Sequence, residues 1–142
     1  MDESIIKSLF RWFADCDVLE VDNDLNVDYL GEDPEQYSIE VVPCKTVLKQ
    51  YIDGSAKCQY LFIFASRENY SPDESINIAN LEFYERLEEW IAEQDLNGKL
   101  PEGLTPLFVK VLSSGYAIDN DTKSARYQIQ CQLKYTKIGG KK

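Results

Sequence analysis

The stretch TVLKQYIDGSAKCQYLFIFASREN at residues 46–69 constrains the fold more than any other part of the chain. Successive side chains of a strand point to opposite faces, so Tyr60, Phe62 and Phe64 share one side while Leu61, Ile63 and Ala65 share the other. Both sides are apolar, which predicts a central strand. At a sheet edge the same residues would offer an aggregation template. Asp53-Gly54, between this run and the strand-like TVLKQY, is a pairing that supplies the positive φ angles of a tight turn, so the segment is predicted to be a hairpin. The rest of the chain must then provide strands beside this one and a layer above it.

Candidates for both are readable. LNVDYLG and YSIEVVP, separated by the turn-prone GEDPEQ, are predicted to be two strands forming a hairpin or lying side by side. LFVKVLSSGY and SARYQIQCQLKY form a second hairpin through the polar AIDNDTK. In its last arm Tyr127, Ile129, Cys131, Leu133 and Tyr135 alternate with Gln128, Gln130, Gln132 and Lys134, which predicts one buried and one wet face. Those glutamines suit a solvated sheet face and an intersubunit surface equally well.

The covering layer comes from two amphipathic helices. Ile5, Ile6, Leu9, Phe10, Trp12, Phe13 and Cys16 recur at helical spacing behind the acidic start Asp2-Glu3-Ser4. A longer helix opens at Ser71-Pro72-Asp73-Glu74, carries Ile76, Ala79, Phe83, Leu87, Trp90 and Ile91 as its stripe, and stops at Asn97-Gly98. Its glutamates Glu82, Glu85, Glu88, Glu89 and Glu93 fall largely outside the stripe, as a solvated face or an electrostatic docking patch. The expected order is helix, two or three strands, helix, two strands. That is an α+β domain with a mainly antiparallel sheet built from hairpins, packed with an N-terminal helix and a long central helix. At 142 residues and 44% hydrophobic content, a single domain over 1–138 with a flexible tail at 139–142 accounts for the chain.

Chemistry is sparse. The sequence has no histidine, which removes the commonest general base near neutral pH and both Ser–His and Cys–His nucleophile pairs. Cys16, Cys44, Cys58 and Cys131 are too far apart for a CxxC pair or a zinc knuckle and are expected to be buried free thiols. Asp119, Asn120 and Asp121 could ligate calcium, but they lack the EF-hand pattern and read as an acidic turn. Gly54, Gly98 and Gly115 fit no phosphate-binding pattern. An enzyme would have to be assembled from scattered acids, so no catalytic, cofactor-binding or metal-binding residue is assigned. Trp12 and Trp90 are expected in the core, and Tyr51, Tyr70 and Tyr116 beside turns, where an interface role suits them.

Twenty-five acidic against fifteen basic residues give a formal charge of −10, a field that repels nucleic-acid backbones and anionic membranes. No stretch approaches the roughly 20 apolar residues of a membrane span. The acidic beginning MDESIIKSLF is unlike a signal peptide, so the chain is expected in the cytosol where it is made. Protein surfaces remain as partners.

Three stretches carry a resemblance: NVDYLGEDPEQYSIE at 26–40, YIDGSAKCQYLFIFASRENYSPD with its following helix NLEFYERLEEWI at 51–91, and SSGYAIDNDTKSARYQIQCQLKY at 113–135. They resemble the minor capsid proteins encoded beside the tail genes of long-tailed bacteriophages, which are similar in size and element order to tail-terminator (tail completion) proteins. The resemblance implies a structural virion protein of the neck, assembled in the host cytoplasm. It further implies a ring, hexameric in tail terminators, that stops growth of the tail tube and meets the head connector. Self-association through exposed loops and strand edges is then expected, with Lys110, Arg126 and Lys134 as basic partners across an otherwise acidic contact. A monomeric adaptor or inhibitor is the alternative from the binding class. A packaging factor is disfavoured by the acidic balance.

Phe62→Asp places an unpaired carboxylate in the strand predicted to be central and is expected to unfold or aggregate the protein. A soluble variant with an unchanged melting curve would show that this strand is not central.

Overall fold

The computed structural model describes residues 4–20, 23–30, 35–69, 74–101, 105–120 and 124–138. Its elements in chain order are α1 (Ile5–Ala14), β1 (Asp24–Val27), β2 (Gln36–Val42), β3 (Val47–Gln50), β4 (Ala56–Asn69), α2 (Glu74–Leu96), β5 (Thr105–Asn120) and β6 (Ser124–Lys137). The α+β class and the placing of both helices agree with the sequence pattern. Four strands precede α2, where the pattern predicts two or three, because β1 and β3 are only four residues each.

All six strands form one sheet in the order β1-β2-β4-β6-β5, with β3 also paired to β4. β4 is central, as its two apolar faces predict. Its partner β6 runs antiparallel along the whole strand, from Ala56↔Lys137 to Asn69↔Ser124. On its other side, β2 takes Leu61 to Arg67 and β3 takes Ala56 to Cys58. The Asp53-Gly54 turn joins β3 to β4 as expected, closed by Gly54 N–H to Tyr51 O at 3.0 Å and Tyr51 N–H to Ser55 O at 2.9 Å. Only Gly54 there takes a positive φ, and the Asp53 carboxylate accepts from Ser55 N and Oγ at 2.9 and 2.6 Å. Those two bonds hold the Asp53 carboxyl below its ordinary range.

Of the two arrangements expected for the first pair of strands, hairpin or side by side, the structure shows the second: β1 and β2 pair in parallel, Asp24↔Gln36 through Val27↔Ile39. One expectation needs correction: Ala117–Asn120 belong to the β5–β6 ladder rather than to the connecting loop, so the first arm runs further than the turn residues suggest. Residues 31–34 of GEDPEQ, 121–123 of AIDNDTK and the expected tail at 139–142 lie outside the described residues.

Both helices pack on one face of the sheet, the side of Phe62, Phe64, Tyr127, Ile129 and Leu133. The Ser4 hydroxyl caps α1 by accepting from Lys7 N at 3.2 Å. From α1, fully buried Phe13 sets its ring 6.0 Å from Phe62, 5.1 Å from Phe64 and 6.0 Å from Trp90 of α2, tying the two helices to the central strand. One such ring contributes about 1.5–3 kcal/mol through burial alone. At the other end Phe83 stacks on Tyr37 of β2 at 5.7 Å. α2 stops in a Schellman arrangement: Lys99 N–H reaches Gln94 O at 2.9 Å, Gly98 N–H reaches Asp95 O at 3.2 Å, and Gly98 sits at φ +72°.

α2 comes close to the sheet at Gly115 of β5. A Cβ built there would lie 2.5 Å from both Cβ and Cγ of Tyr84, and the Gly115 N–H donates to Glu88 Oε2 at 2.9 Å. Tyr84 is buried, and its hydroxyl shares a 2.6 Å hydrogen bond with Ser66 Oγ and donates to Tyr127 O at 3.1 Å, so the ring has nowhere to move. Gly115→Ala is therefore expected to destabilise the fold by roughly 1–3 kcal/mol through overpacking. The check is a lower denaturant midpoint at unchanged m-value; an unchanged midpoint would mean that α2 can lift off β5 without cost.

Candidate functional surface

Three features could carry function: a groove between the helices, a cleft beside β2, and the sheet face that bears no helix among the described residues. The groove, about 760 Å³, is floored by Trp12 and Trp90 and rimmed by charges of both signs, including Arg11, Asp15, Glu93 and Lys99. The two indoles lie 4.8 Å apart, and Trp12 Nε1 donates to Lys99 O at 2.8 Å. Both tryptophans therefore serve the α1–α2 contact, as the sequence predicts. Cys16, Cys58 and Cys131 are buried free thiols and Cys44 is a half-buried one. Burial pushes the Cys16 thiol up to about 11 and that of Cys131 higher still, which keeps both protonated and inert.

The cleft, about 350 Å³, brings together Glu20 before β1, Glu35 before β2, Tyr37 on β2, Glu68 on β4, and Asn80 and Arg86 on α2. The backbone N–H of Glu20 donates to the Tyr37 hydroxyl at 3.1 Å. Burial pushes the Glu68 carboxyl up to about 7. A hydrogen bond from Ser66 opposes the rise, and the neighbouring charges of Glu35 and Glu20 add to it. These residues are scattered along the sequence, and only the fold collects them; nothing in their local pattern marks them out. No described cluster of three or more Cys, Asp or Glu side chains forms a metal-holding group.

The open sheet face is built differently. Along β4 it presents Lys57, Gln59, Leu61, Ile63, Ala65 and Arg67, the residues that alternate with the buried set. Thus β4 is central, but among the described residues its second apolar side is covered by polar side chains rather than by another layer. Arg126 of β6 reaches across β4 to Glu40 of β2 in a two-pronged ion pair, Nη1 to Oε2 at 3.1 Å and Nη2 to Oε1 at 2.6 Å, while its Nε donates to Gln128 Oε1 at 3.0 Å. The fork is half-buried and geometrically fixed, unlike a mobile surface pair. Gln132 Nε2 donates to Gln59 Oε1 at 2.8 Å, and Gln59 Nε2 donates to Lys45 O at 2.8 Å, so the glutamines form a hydrogen-bonded row. Lys110 and Lys134 flank the ring of Phe108, at 5.7 and 5.2 Å from its centroid.

The basic residues singled out from the sequence, Lys110, Arg126 and Lys134, do share this face, but Arg126 is engaged by Glu40 while the two lysines lie over the Phe108 ring. Tyr51 is exposed beside the β3–β4 turn, next to fully exposed Ile52. Tyr116, Asp119 and Asn120 are backbone members of β5, while Tyr70 and Asp121 lie outside the described residues. Of the glutamates expected outside the stripe of α2, Glu82, Glu85, Glu89 and Glu93 are exposed, while Glu88 is half-buried and accepts from Gly115 N–H of β5. Among the described residues no helix is long and apolar enough to cross a membrane. No family model and no curated protein matches the chain.

The raised Glu68 carboxyl makes stability depend on pH. Its folded value of about 7 lies above the ordinary 4.5, so the folded state holds the proton more tightly. The contribution is fully present below about pH 4.5 and is lost as pH rises through about 7. Glu68→Gln is expected to remove this decline and to raise the melting temperature above that of the wild type at pH 8. Parallel melting-temperature profiles for the two proteins between pH 5 and 8 would show that Glu68 does not carry the linkage.

Proposed function

We propose that the chain is a structural protein of a long-tailed bacteriophage, a tail terminator that closes into a ring on the end of the tail tube and presents a surface to the head connector. In this role it has no catalytic centre and needs no cofactor; its partners are further copies of itself, the tube protein and the connector, and its place is the neck of the virion.

The observation that carries this reading is the open sheet face, a wide surface with half-buried Leu61 and Ile63 at its centre, a hydrogen-bonded row of glutamines, and lysines packed around Phe108. Such a composition suits contact with another protein better than a substrate pocket. Adjacent Tyr51 and Ile52 beside the β3–β4 turn support it, since two neighbouring exposed apolar side chains are available to a contact. So does the resemblance over residues 26–40, 51–91 and 113–135.

Deleting the gene from its phage and imaging the lysate tests the role. Overlong tails, or finished tails that fail to join heads, are expected. Normal particles with tails of normal length would sink the proposal.

A further inference from the structure

The chain's charges are sorted between its two outer layers. α2 carries seven acids against Arg86 alone, whereas β6 carries three basic residues and no acid. On the open sheet face the strand register lines up the lysines: Lys49 of β3 is opposite Lys57 of β4, Lys134 of β6 is opposite Gln59 of β4, and Lys110 of β5 is opposite Gln132 of β6. They form a band crossing four adjacent strands, about 15 Å wide at roughly 4.8 Å per strand spacing. Leu61 and Phe108 lie in the same band, half-buried.

On the opposite side of the molecule, Ile78, Glu82, Glu85, Glu89, Glu93 and Leu96 fall on the solvent side of α2, turned away from Phe83, Tyr84, Leu87 and Ile91. From Glu82 to Glu93 the helix advances about 17 Å at 1.5 Å per residue. Apolar Ile78 and Leu96 stand at the two ends of this acidic row, and both are exposed. The acidic row and the lysine band thus match in length and oppose in sign, and each surface has apolar side chains for the part of a contact that excludes water.

We propose that copies of the chain associate head to tail, the outer face of α2 in one copy lying across the lysine band on the open sheet face of the next. The inference deepens the ring reading and rests on it. The contact uses two different patches on each subunit, so it is heterologous, and repetition closes a ring when the rotation between copies divides a full turn. It also lets a chain of charge −10 pack against itself, because the surfaces that meet carry opposite signs.

The test uses two charge-reversed full-length variants, a sheet variant with Lys57→Glu, Lys110→Glu and Lys134→Glu, and a helix variant with Glu82→Lys, Glu85→Lys and Glu89→Lys. Solution mass is measured by sedimentation at ~50 mM salt and again at ~500 mM, a change that cuts the screening length from roughly 14 to 4 Å. The wild type is expected to associate at the lower salt and to lose mass at the higher. Each variant alone is expected to be monomeric at both, while their equimolar mixture, and the chain bearing all six substitutions, return to the wild-type mass. Melting curves establish that each variant is folded; should one not be, Lys→Gln and Glu→Gln at the same positions are expected to weaken association without restoring it on mixing. A wild type that stays monomeric at low salt, or folded variants that assemble as the wild type does, or a mixture no heavier than its parts, overturns the proposal. Overlong tails in the deletion phage together with charge-insensitive assembly would sink this interface and leave the terminator role standing. Normal tails with charge-dependent assembly would do the reverse.

Discussion

The hydroxyl of Tyr84 fixes how this chain can fold. A phenol buried this deeply must find hydrogen-bond partners, and it finds them on two neighbouring strands, Ser66 of β4 and the Tyr127 carbonyl of β6. Burial raises the Tyr84 hydroxyl's pKa well above its ordinary value, so it remains a neutral donor and the network keeps a single protonation state. Meeting both partners sets the height and rotation of α2 over the sheet, and the third strand, β5, can come under the same ring only because Gly115 has no side chain. With Tyr84 seated, Phe83 meets Tyr37 on one flank, Leu87 and Ile91 follow one and two turns later, and Trp90 meets Trp12 and Phe13. The remaining turns of the helix then have to face water with their glutamates.

Two helices covering one face leave the other to be stabilised without a layer. The solution here is side-chain pairing across strands. The Arg126–Glu40 fork spans β6, β4 and β2 above Ala65, whose small side chain is fully buried beneath this polar cover, and the Gln132–Gln59–Lys45 row ties β6 through β4 to the segment leading into β3. A face built this way is ordered before any partner arrives, so little side-chain freedom remains to be lost in a contact. Half-buried Leu61 and Ile63 lie between these polar rows.

Much of this was legible in the sequence, and the part that was not has a physical reason in each case. The central strand could be read because Tyr60 to Ala65 is apolar on both sides, and β6 because its alternation is strict from Tyr127 to Tyr135. Tyr84 was invisible to a stripe of apolar residues: its ring counts as core only when its hydroxyl has partners, and those partners are 18 and 43 positions away. Gly115 likewise fits no sequence motif, since its reason for being glycine is a helix packed from elsewhere in the chain. β5 was underestimated because four register shifts break its alternation, at Pro106/Phe108, Val111/Ser113, Ser113/Tyr116 and Ala117/Asp119. The cleft around Glu68 draws on residues 20, 35 and 68 together, a meeting that only tertiary structure creates. The tail-terminator likeness came from whole stretches of sequence, and no single residue in the fold stands for it.

The irregularity of β5 also makes it a poor template for strand addition. β5 is the long outer strand of the sheet, and an edge of its length is usually the first place two chains would pair. Two of its N–H groups are taken by α2: Asp95 accepts from Val109 N–H at 3.2 Å, and Glu88 accepts from Gly115 N–H. The register shifts bend the strand between these points and turn Leu107 and Leu112 outward at the bulges, where they interrupt the flat ladder that strand addition requires. On the opposite side of the sheet the outer strands β1 and β3 are four residues each, too short to template a stable pairing. The described edges are thus poor templates for strand addition. The proposed contact between copies uses instead the two broad surfaces, the helix that carries the acids and the sheet face that carries the lysines.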